Sequence, residues 1–235
     1  MSAPLFYSAT LGQPGSILVL DEDNSRHAIQ VLRLTQGSSL SITDGKGNWA
    51  EAIISKADRK HCGIQLQSVQ QIQRPRRSIA LAISLLKNRN RFEWLLEKVT
   101  ELGVTTIIPL RCERTEKETV RMDRLETILI SALLQSRQAW LPTLLSPQPF
   151  ADLQQWKLKQ GVNLIAHCEN TSRSVLSVLS SSLPDQILIA IGPEGDFTPD
   201  EIEQALAADF IPVQLGGTRL RTETAAVAAV ALLAC

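Results

Sequence analysis

From Ile79 onward the chain alternates short apolar runs with longer amphipathic ones, and that rhythm limits its architecture more than any other feature. IALAISLL (79–86), VTTIIPL (104–110), NLIAHC (163–168), QILIAI (186–191) and IPVQL (211–215) read as buried strands. RFEWLLEKVTELG (91–103), DRLETILISALLQSRQA (123–139) and the segments 172–181, 199–208 and 222–234 read as helices. Strands that alternate with helices need crossover connections, so they run parallel, with helices on both faces of the sheet. Ligands of such α/β sheets gather at the carboxyl ends of the strands. The loops after Cys168, Ile191 and Leu215 are therefore the places to look.

The first seventy residues follow a different period. SILVL (16–20), SLSIT (39–43), NWAEAIIS (48–55) and CGIQLQSV (62–69) mostly alternate, and turn residues separate them at 44–48 and 57–63. SRHAIQVLRL (25–34) spaces Ala28, Val31 and Leu32 at helical intervals. A small β-barrel with one helix fits this segment. QIQRPRRS (71–78) breaks the pattern as an arginine-rich linker, which divides the chain into a barrel domain (1–73) and a parallel-sheet domain (74–235).

Charge and cysteine usage remove several function classes. The opening MSAPLFYSATLGQPG has no continuous apolar core of a secretory signal. The run Ala225–Cys235 is too short to span a bilayer, so no membrane partner is expected. Cys62, Cys112, Cys168 and Cys235 are scattered without a CxxC pair, as are the histidines, so the expectation is reduced cytoplasmic thiols and no metal. Net charge is zero, but residues 74–137 carry thirteen basic against eight acidic side chains. That local surplus fits an anionic partner or a set of solvated helix faces.

Two loops carry chemical promise. In IGPEGDFTPDEIEQA (191–205), Thr198, Pro199 and Glu201 spell a helix start with a capping box, which leaves GPEGDF as a tight turn. Gly192 and Gly195 let such a turn offer bare backbone to a flat ligand, although an ordinary strand-to-helix turn reads the same way. No GxGxxG or Walker sequence is present. The second loop is LGGTRLRTETAAVAAVALLAC (215–235), where Gly216, Gly217, Arg219 and Arg221 precede a helix of alanines with Thr222 as expected N-cap. A helix so poor in bulk suits close approach by another backbone segment.

These stretches resemble a known family. KNRNRFEWLLEKVTELGVTTIIPL, ALLQSRQAWLP, IAIGPEGDFTPDEIE and LGGTRLRTETAAVAAVALL occur in the order of the RsmE family, the 16S ribosomal RNA uridine N3-methyltransferases of the SPOUT superfamily. HAIQVLRLTQGSSLSITDGKGNWAEAII (27–54) is similar to that family's PUA-like barrel, so the resemblance covers nearly the whole chain. Three departures stand out. Leu134 occupies a position that is usually Glu, Asp196 one that is usually Gly, and Ser2–Phe6 replace a basic, aromatic beginning.

The resemblance implies a C-terminal trefoil knot whose loops hold S-adenosylmethionine, with the alanine helix threaded past them. On this sequence the cofactor residues map onto Ala166 and His167, then Ile191, Gly192, Pro193, Glu194 and Gly195. The third loop adds Leu215, Gly216, Leu220, Arg221, Thr222, Thr224 and Ala225. Valine at Gly192 or Gly216 is then expected to abolish binding without unfolding the protein. Methylation at N3 requires loss of the imide proton and a group that stabilises the resulting anion. Arg221 is the first choice for the anion and Arg219 the second, though either can instead bind phosphate or brace the loop. Glu223 serves either as proton acceptor or as partner of the helix dipole. RNA contacts are expected from Arg74, Arg76 and Arg77, from Lys87, Arg89 and Arg91, and from Arg124, with Arg114 and Arg121 adding to that surface. The family further implies a 16S ribosomal RNA or small-subunit substrate and a homodimer. Rival readings are a SPOUT enzyme for another RNA, a nicotinamide-dependent α/β enzyme, and a non-enzymatic RNA-binding module.

Overall fold

The computed structural model describes residues 3–116, 119–169, 173–179 and 182–234. The chain divides into two compact units. One comprises Met1–Arg74 with Leu133–Leu141, the other Pro75–Ala132 with Pro142–Cys235.

The first unit is a five-stranded sheet of β1 (Leu5–Tyr7), β2 (Ile17–Val19), β3 (Ser39–Thr43), β4 (Asn48–Lys56) and β5 (Gly63–Gln71), in the order β1-β3-β4-β5-β2. β1 runs parallel to β3 and the other pairs are antiparallel. Alternation does the sorting in β4: Ala50, Ala52 and Ile54 are buried while Glu51 between them is exposed. Those residues join Phe6, Leu40, Ile42, Ile64 and Leu66 in one apolar core. The helix expected over 25–34 starts earlier, because Asp21 accepts from the Asn24 amide at 2.8 Å and caps α1 (Glu22–Arg26). A π-type turn (His27–Val31) continues it until Arg33 takes a left-handed φ of 55°.

The turn between β3 and β4 is built around Asp44, whose Oδ1 accepts from the Lys46 and Asn48 amides at 2.7 and 3.1 Å. Gly47 must be glycine here: its φ is 91°, and an added Cβ would lie 2.3 Å from the Trp140 ring. Trp140 also donates its indole N–H to the Ile72 carbonyl at 3.2 Å and lies 5.2 Å from the Arg74 guanidinium. The helix expected over 123–139 therefore ends sooner, as α3 (Met122–Gln135), and Arg137 leaves it with a left-handed φ of 55°. From there to Leu141 the chain packs with the first unit.

The second unit is an eight-stranded parallel sheet. Its strands are β6 (Ser78–Ser84), β7 (Thr106–Arg111), β8 (Thr143–Leu144), β9 (Gln148–Pro149), β10 (Val162–Ala166), β11 (Ser174–Val175), β12 (Gln186–Ile191) and β13 (Ile211–Gln214). They lie in the order β11-β13-β10-β12-β6-β7-β8, with β9 also on β7. α2 (Arg89–Glu101), α3, α4 (Leu176–Leu179), α5 (Pro199–Ala207), α6 (Thr222–Ala234) and a 3-10 turn (Phe150–Trp156) complete it. The helix expected over 172–181 narrows to α4 after the short strand β11, while 172, 180 and 181 lie outside the described residues. From β13, beside β10, the chain returns so that α6 packs on α2, β6 and β12. Ala226, Ala229, Val230 and Leu233 are the buried face of α6, and the two alanines admit its neighbours closely.

Candidate functional site

Register brings three loops to one end of the sheet. Ala166, the last residue of β10, lies opposite Ile191 of β12 on one side and Val213 of β13 on the other. The three loops that leave these strands therefore emerge side by side: His167 and Cys168, then Gly192–Phe197, then Leu215–Arg221.

The second loop is braced from several directions. Thr198 and Glu201 form the expected capping box, the Thr198 hydroxyl accepting at 3.2 Å and the Glu201 carboxylate returning the bond at 2.9 Å. The other Glu201 oxygen accepts from the Glu113 amide at 2.9 Å, a further tie that sequence gives no sign of. Arg114, expected to add to the RNA-facing surface, donates to the Gly195 carbonyl at 2.7 Å. Asp196 sits at a left-handed φ of 67°. Its carboxylate accepts from the Cys168 amide at 2.7 Å and from its neighbour Phe197 at 2.8 Å. Those bonds hold an aspartate where glycine would be conformationally easier, and they tie the first loop to the second.

His167 is 4% exposed, and neither ring nitrogen has a hydrogen-bond partner among the described residues. Burial pushes its imidazole below the ordinary value, with the Asp196 charge opposing. A buried imidazole without partners is costly on its own, so this ring is suited to meet a ligand. The Cys168 thiol is pushed up by burial and then by Asp196, while the charge of Arg219 pulls the other way, which places the third loop's electrostatics at the first.

The third loop is open. A Cβ at Gly216 or Gly217 would meet nothing within 4 Å, and Arg219 and Arg221 are exposed. Leu215 and Leu220 are half-buried at its two ends. α6 begins at Thr222 itself: the Ala225 amide donates to the Arg221 carbonyl at 2.8 Å, so the capping position falls on Arg221, one residue before the expected Thr222. Thr222 and Glu223 turn inward while Thr224 is exposed and Ala225 half-buried. Glu223 is 7% exposed; one carboxylate oxygen lies 3.7 Å from Arg91 Nε and the other has no partner among the described residues.

The cations expected to bind RNA each have partners within the chain. Arg74 stacks on Trp140 in the first unit. Arg76 pairs with Asp185 at 2.8 Å, and Arg77 donates to the Leu233 carbonyl at 2.9 Å, near the end of α6. These two immediately precede β6. Beyond its other end, about 20 Å away at strand rise, Lys87 pairs with Glu116 at 2.6 Å and is reached by the charge of Glu194. Arg89 and Arg124 share Glu93, at 2.6 and 3.1 Å. Arg91 is the member of this group that touches a candidate catalytic residue, Glu223. Among the described residues no His, Cys, Asp and Glu cluster is placed to hold a metal, and no helix is long and apolar enough to cross a membrane.

Residues 73–234 match the RNA methyltransferase domain family, and residues 20–67 match the RNA methyltransferase PUA domain family. Ribosomal RNA small subunit methyltransferase E of Synechocystis sp. is 34% identical over 87% of this chain and 69% of its own length. The protein of the same name from Mycobacterium bovis is 30% identical, covering 97% of this chain and 90% of its own. A solved structure of the Neisseria gonorrhoeae protein of that name, bound to S-adenosyl methionine, superposes with a TM-score of 0.86 at 28% identity, covering 98% of this chain and 96% of that one.

Proposed function

Because the chain belongs to the family of ribosomal RNA small subunit methyltransferases E, we propose that it uses S-adenosylmethionine to methylate N3 of a uridine in 16S ribosomal RNA. One observation carries the assignment to this site: three strand ends converge on a buried imidazole whose ring nitrogens have no partner among the described residues.

The residues fit the cofactor. Ala166 and His167 form one wall, with the neutral imidazole offering one donor and one acceptor. The Ile191–Gly195 turn, with Pro193 and Glu194, offers backbone groups held by Asp196 and Arg114. Leu215, Gly216, Leu220, Thr222, Thr224 and Ala225 close the third side, where open space at Gly216 leaves room for a ligand. When bound, S-adenosylmethionine supplies an electrophilic methyl group on a sulfonium.

The chain's own task is to position the uridine and manage its proton. Arg221, exposed just ahead of α6, stabilises the negative charge that develops on the imide. Glu223 offers its unpartnered carboxylate oxygen as proton acceptor, while Arg91 orients the other oxygen.

Substrate and assembly belong to the same reading. The first unit, with its PUA match and the Arg74–Trp140 stack, grips the 16S RNA of the small ribosomal subunit. The return of the chain from β13 to the middle of the sheet, ending in a helix of alanines, supports a trefoil knot. A homodimer in the cytoplasm completes the proposal. Isothermal titration of the full chain with S-adenosylmethionine, and separately with NAD, tests the cofactor assignment. Binding of the first alone is expected, and binding of NAD alone would overturn it.

A further inference from the structure

A cleft of about 250 Å³ lies outside the three loops, between the start of α2 and the chain entering α3. Its floor is Leu86, Phe92 and Leu125, each no more than 2% exposed. Thr119 and Val120 form one wall, and Arg89 and Arg121 stand at the rim. An apolar floor under two guanidiniums is a mixed chemistry: it suits a flat ring that carries an anionic group.

Both rim arginines are ion-paired. Arg89 donates through Nε to Glu93 at 2.6 Å, and Arg124 reaches the same carboxylate at 3.1 Å. Burial works against ionisation of Glu93, but the bonds from Arg124 and Arg89 override it and hold the carboxyl below its usual range. Arg121 pairs with Asp123 at 2.6 Å. Three guanidiniums thus stand against two carboxylates, and the terminal nitrogens of Arg89 make no hydrogen bond among the described residues. Exposed pairs of this kind add little stability, so their effect here is to orient charge.

Position relates the cleft to the candidate site. Leu86 comes just after the carboxyl end of β6, on the same side of the sheet as the three loops. On the first turn of α2, Arg89 and Phe92 face the cleft while Arg91 faces Glu223. Cleft and candidate base therefore flank one helix, whose width is about 10 Å, a distance that a neighbouring nucleotide of the same strand can cover. The loop ahead of the cleft is pinned to β6 by the Ser84–Thr115 hydroxyl pair at 2.9 Å, and Arg114 links it to Gly195.

We propose that this cleft is a second nucleotide subsite, taking the unstacked base of an RNA residue that flanks the reacting uridine, with Arg89 and Arg121 on its phosphates. Single-stranded RNA is read in this manner, by bases splayed onto apolar or guanidinium surfaces. The inference rests on the methyltransferase reading for its substrate.

Two variants of the full chain test it. Val120→Trp fills the cleft from a partly exposed wall, and the double variant Arg89→Gln, Arg121→Gln removes the rim charge from exposed positions. Kd is measured for fluorescent hexauridylate, KM for unmodified small ribosomal subunits and Kd for S-adenosylmethionine. Val120→Trp is expected to weaken both RNA measures roughly tenfold while cofactor affinity stays within about twofold. The double variant should lower the slope of log Kd against log salt by about 2. Unchanged RNA binding in either folded variant overturns the subsite; should Val120→Trp fail to fold, the double variant decides alone. If the wild type binds hexauridylate in the cleft but not S-adenosylmethionine, the methyltransferase reading fails and the subsite stands.

Discussion

Substituting Gly192 and Gly216 by alanine should separate two roles that look identical in sequence. A Cβ at Gly192 would lie 3.0 Å from the Phe197 amide nitrogen and 3.1 Å from its ring. Phe197 cannot easily yield. It is fully buried, its ring lies 5.2 Å from that of Phe150, and its amide is bonded to Asp196 at 2.8 Å. Overpacking of this kind costs about 1–3 kcal/mol. For a chain of this size that lowers Tm by roughly 2–4 °C per kcal/mol, or about 2–12 °C in all. Gly216 meets nothing within 4 Å, so alanine there should stay within about 0.5 kcal/mol of wild type. Differential scanning calorimetry on both variants, with a cofactor titration on each, makes the comparison. Gly192→Ala should melt lower and Gly216→Ala should not; the larger Gly216→Val, measured alongside them, should lose cofactor affinity with its melting unchanged. Gly192→Val, expected from the sequence to block binding without unfolding, is by the same contact expected to lower stability as well, because its side chain meets Phe197. Equal melting of Gly192→Ala and wild type would refute the tight contact on which the loop's rigidity depends.

Arg221→Lys should reduce single-turnover methylation at least tenfold (about 1.4 kcal/mol) with cofactor and RNA affinities nearly unchanged, since a point charge cannot reproduce the guanidinium fork. Normal turnover with weakened RNA binding would make Arg221 a phosphate anchor. Glu223→Gln should also slow turnover, more so at low pH than at high pH if uridine ionisation replaces the lost base; a pH–rate profile reads this. His167 titrates below its ordinary value in the folded chain, so the stability of its neutral form is fully present above about pH 6.5 and is lost as pH falls through the depressed value. Melting temperature should therefore fall less steeply on acidification in His167→Gln than in wild type, and parallel curves would remove His167 as a contributor. Arg77→Gln removes the bond to the Leu233 carbonyl and should cost about 1 kcal/mol in thermal unfolding, with little effect on the salt dependence of RNA binding.

What sequence reveals here is local. The capping box at Thr198–Glu201 and the span of α6 can be read from residue types within one turn, and the structure has both. The parallel sheet is legible in the alternation of strands with helices. Strands of two residues, such as β8, β9 and β11, have no period to detect; they exist because a neighbouring strand is there to pair with. The grouping of Leu133–Leu141 with the first unit depends on Trp140 meeting Gly47, a contact between residues far apart in the chain. Arginine roles are least legible. Arg77, Arg114 and Arg74 look alike as cations, yet one bonds the end of α6, one braces the Gly195 turn, and one stacks on an indole. Asp196 is instructive in the other direction. A residue at a position usually held by glycine signals a left-handed turn, and its carboxylate supplies the bonds that keep it there.

The most direct test of methyl transfer to a uridine is to identify the product. Purified full-length protein, unmodified small ribosomal subunits and S-adenosylmethionine carrying an isotopically labelled methyl group are incubated together. The 16S RNA is then digested to nucleosides for chromatography and mass spectrometry. The proposed function predicts label in N3-methyluridine alone, at one methyl per subunit on completion, and at least tenfold less of it when Arg221→Lys is used at single-turnover times. Label in another nucleoside, or cofactor binding without any transfer to RNA, would contradict it.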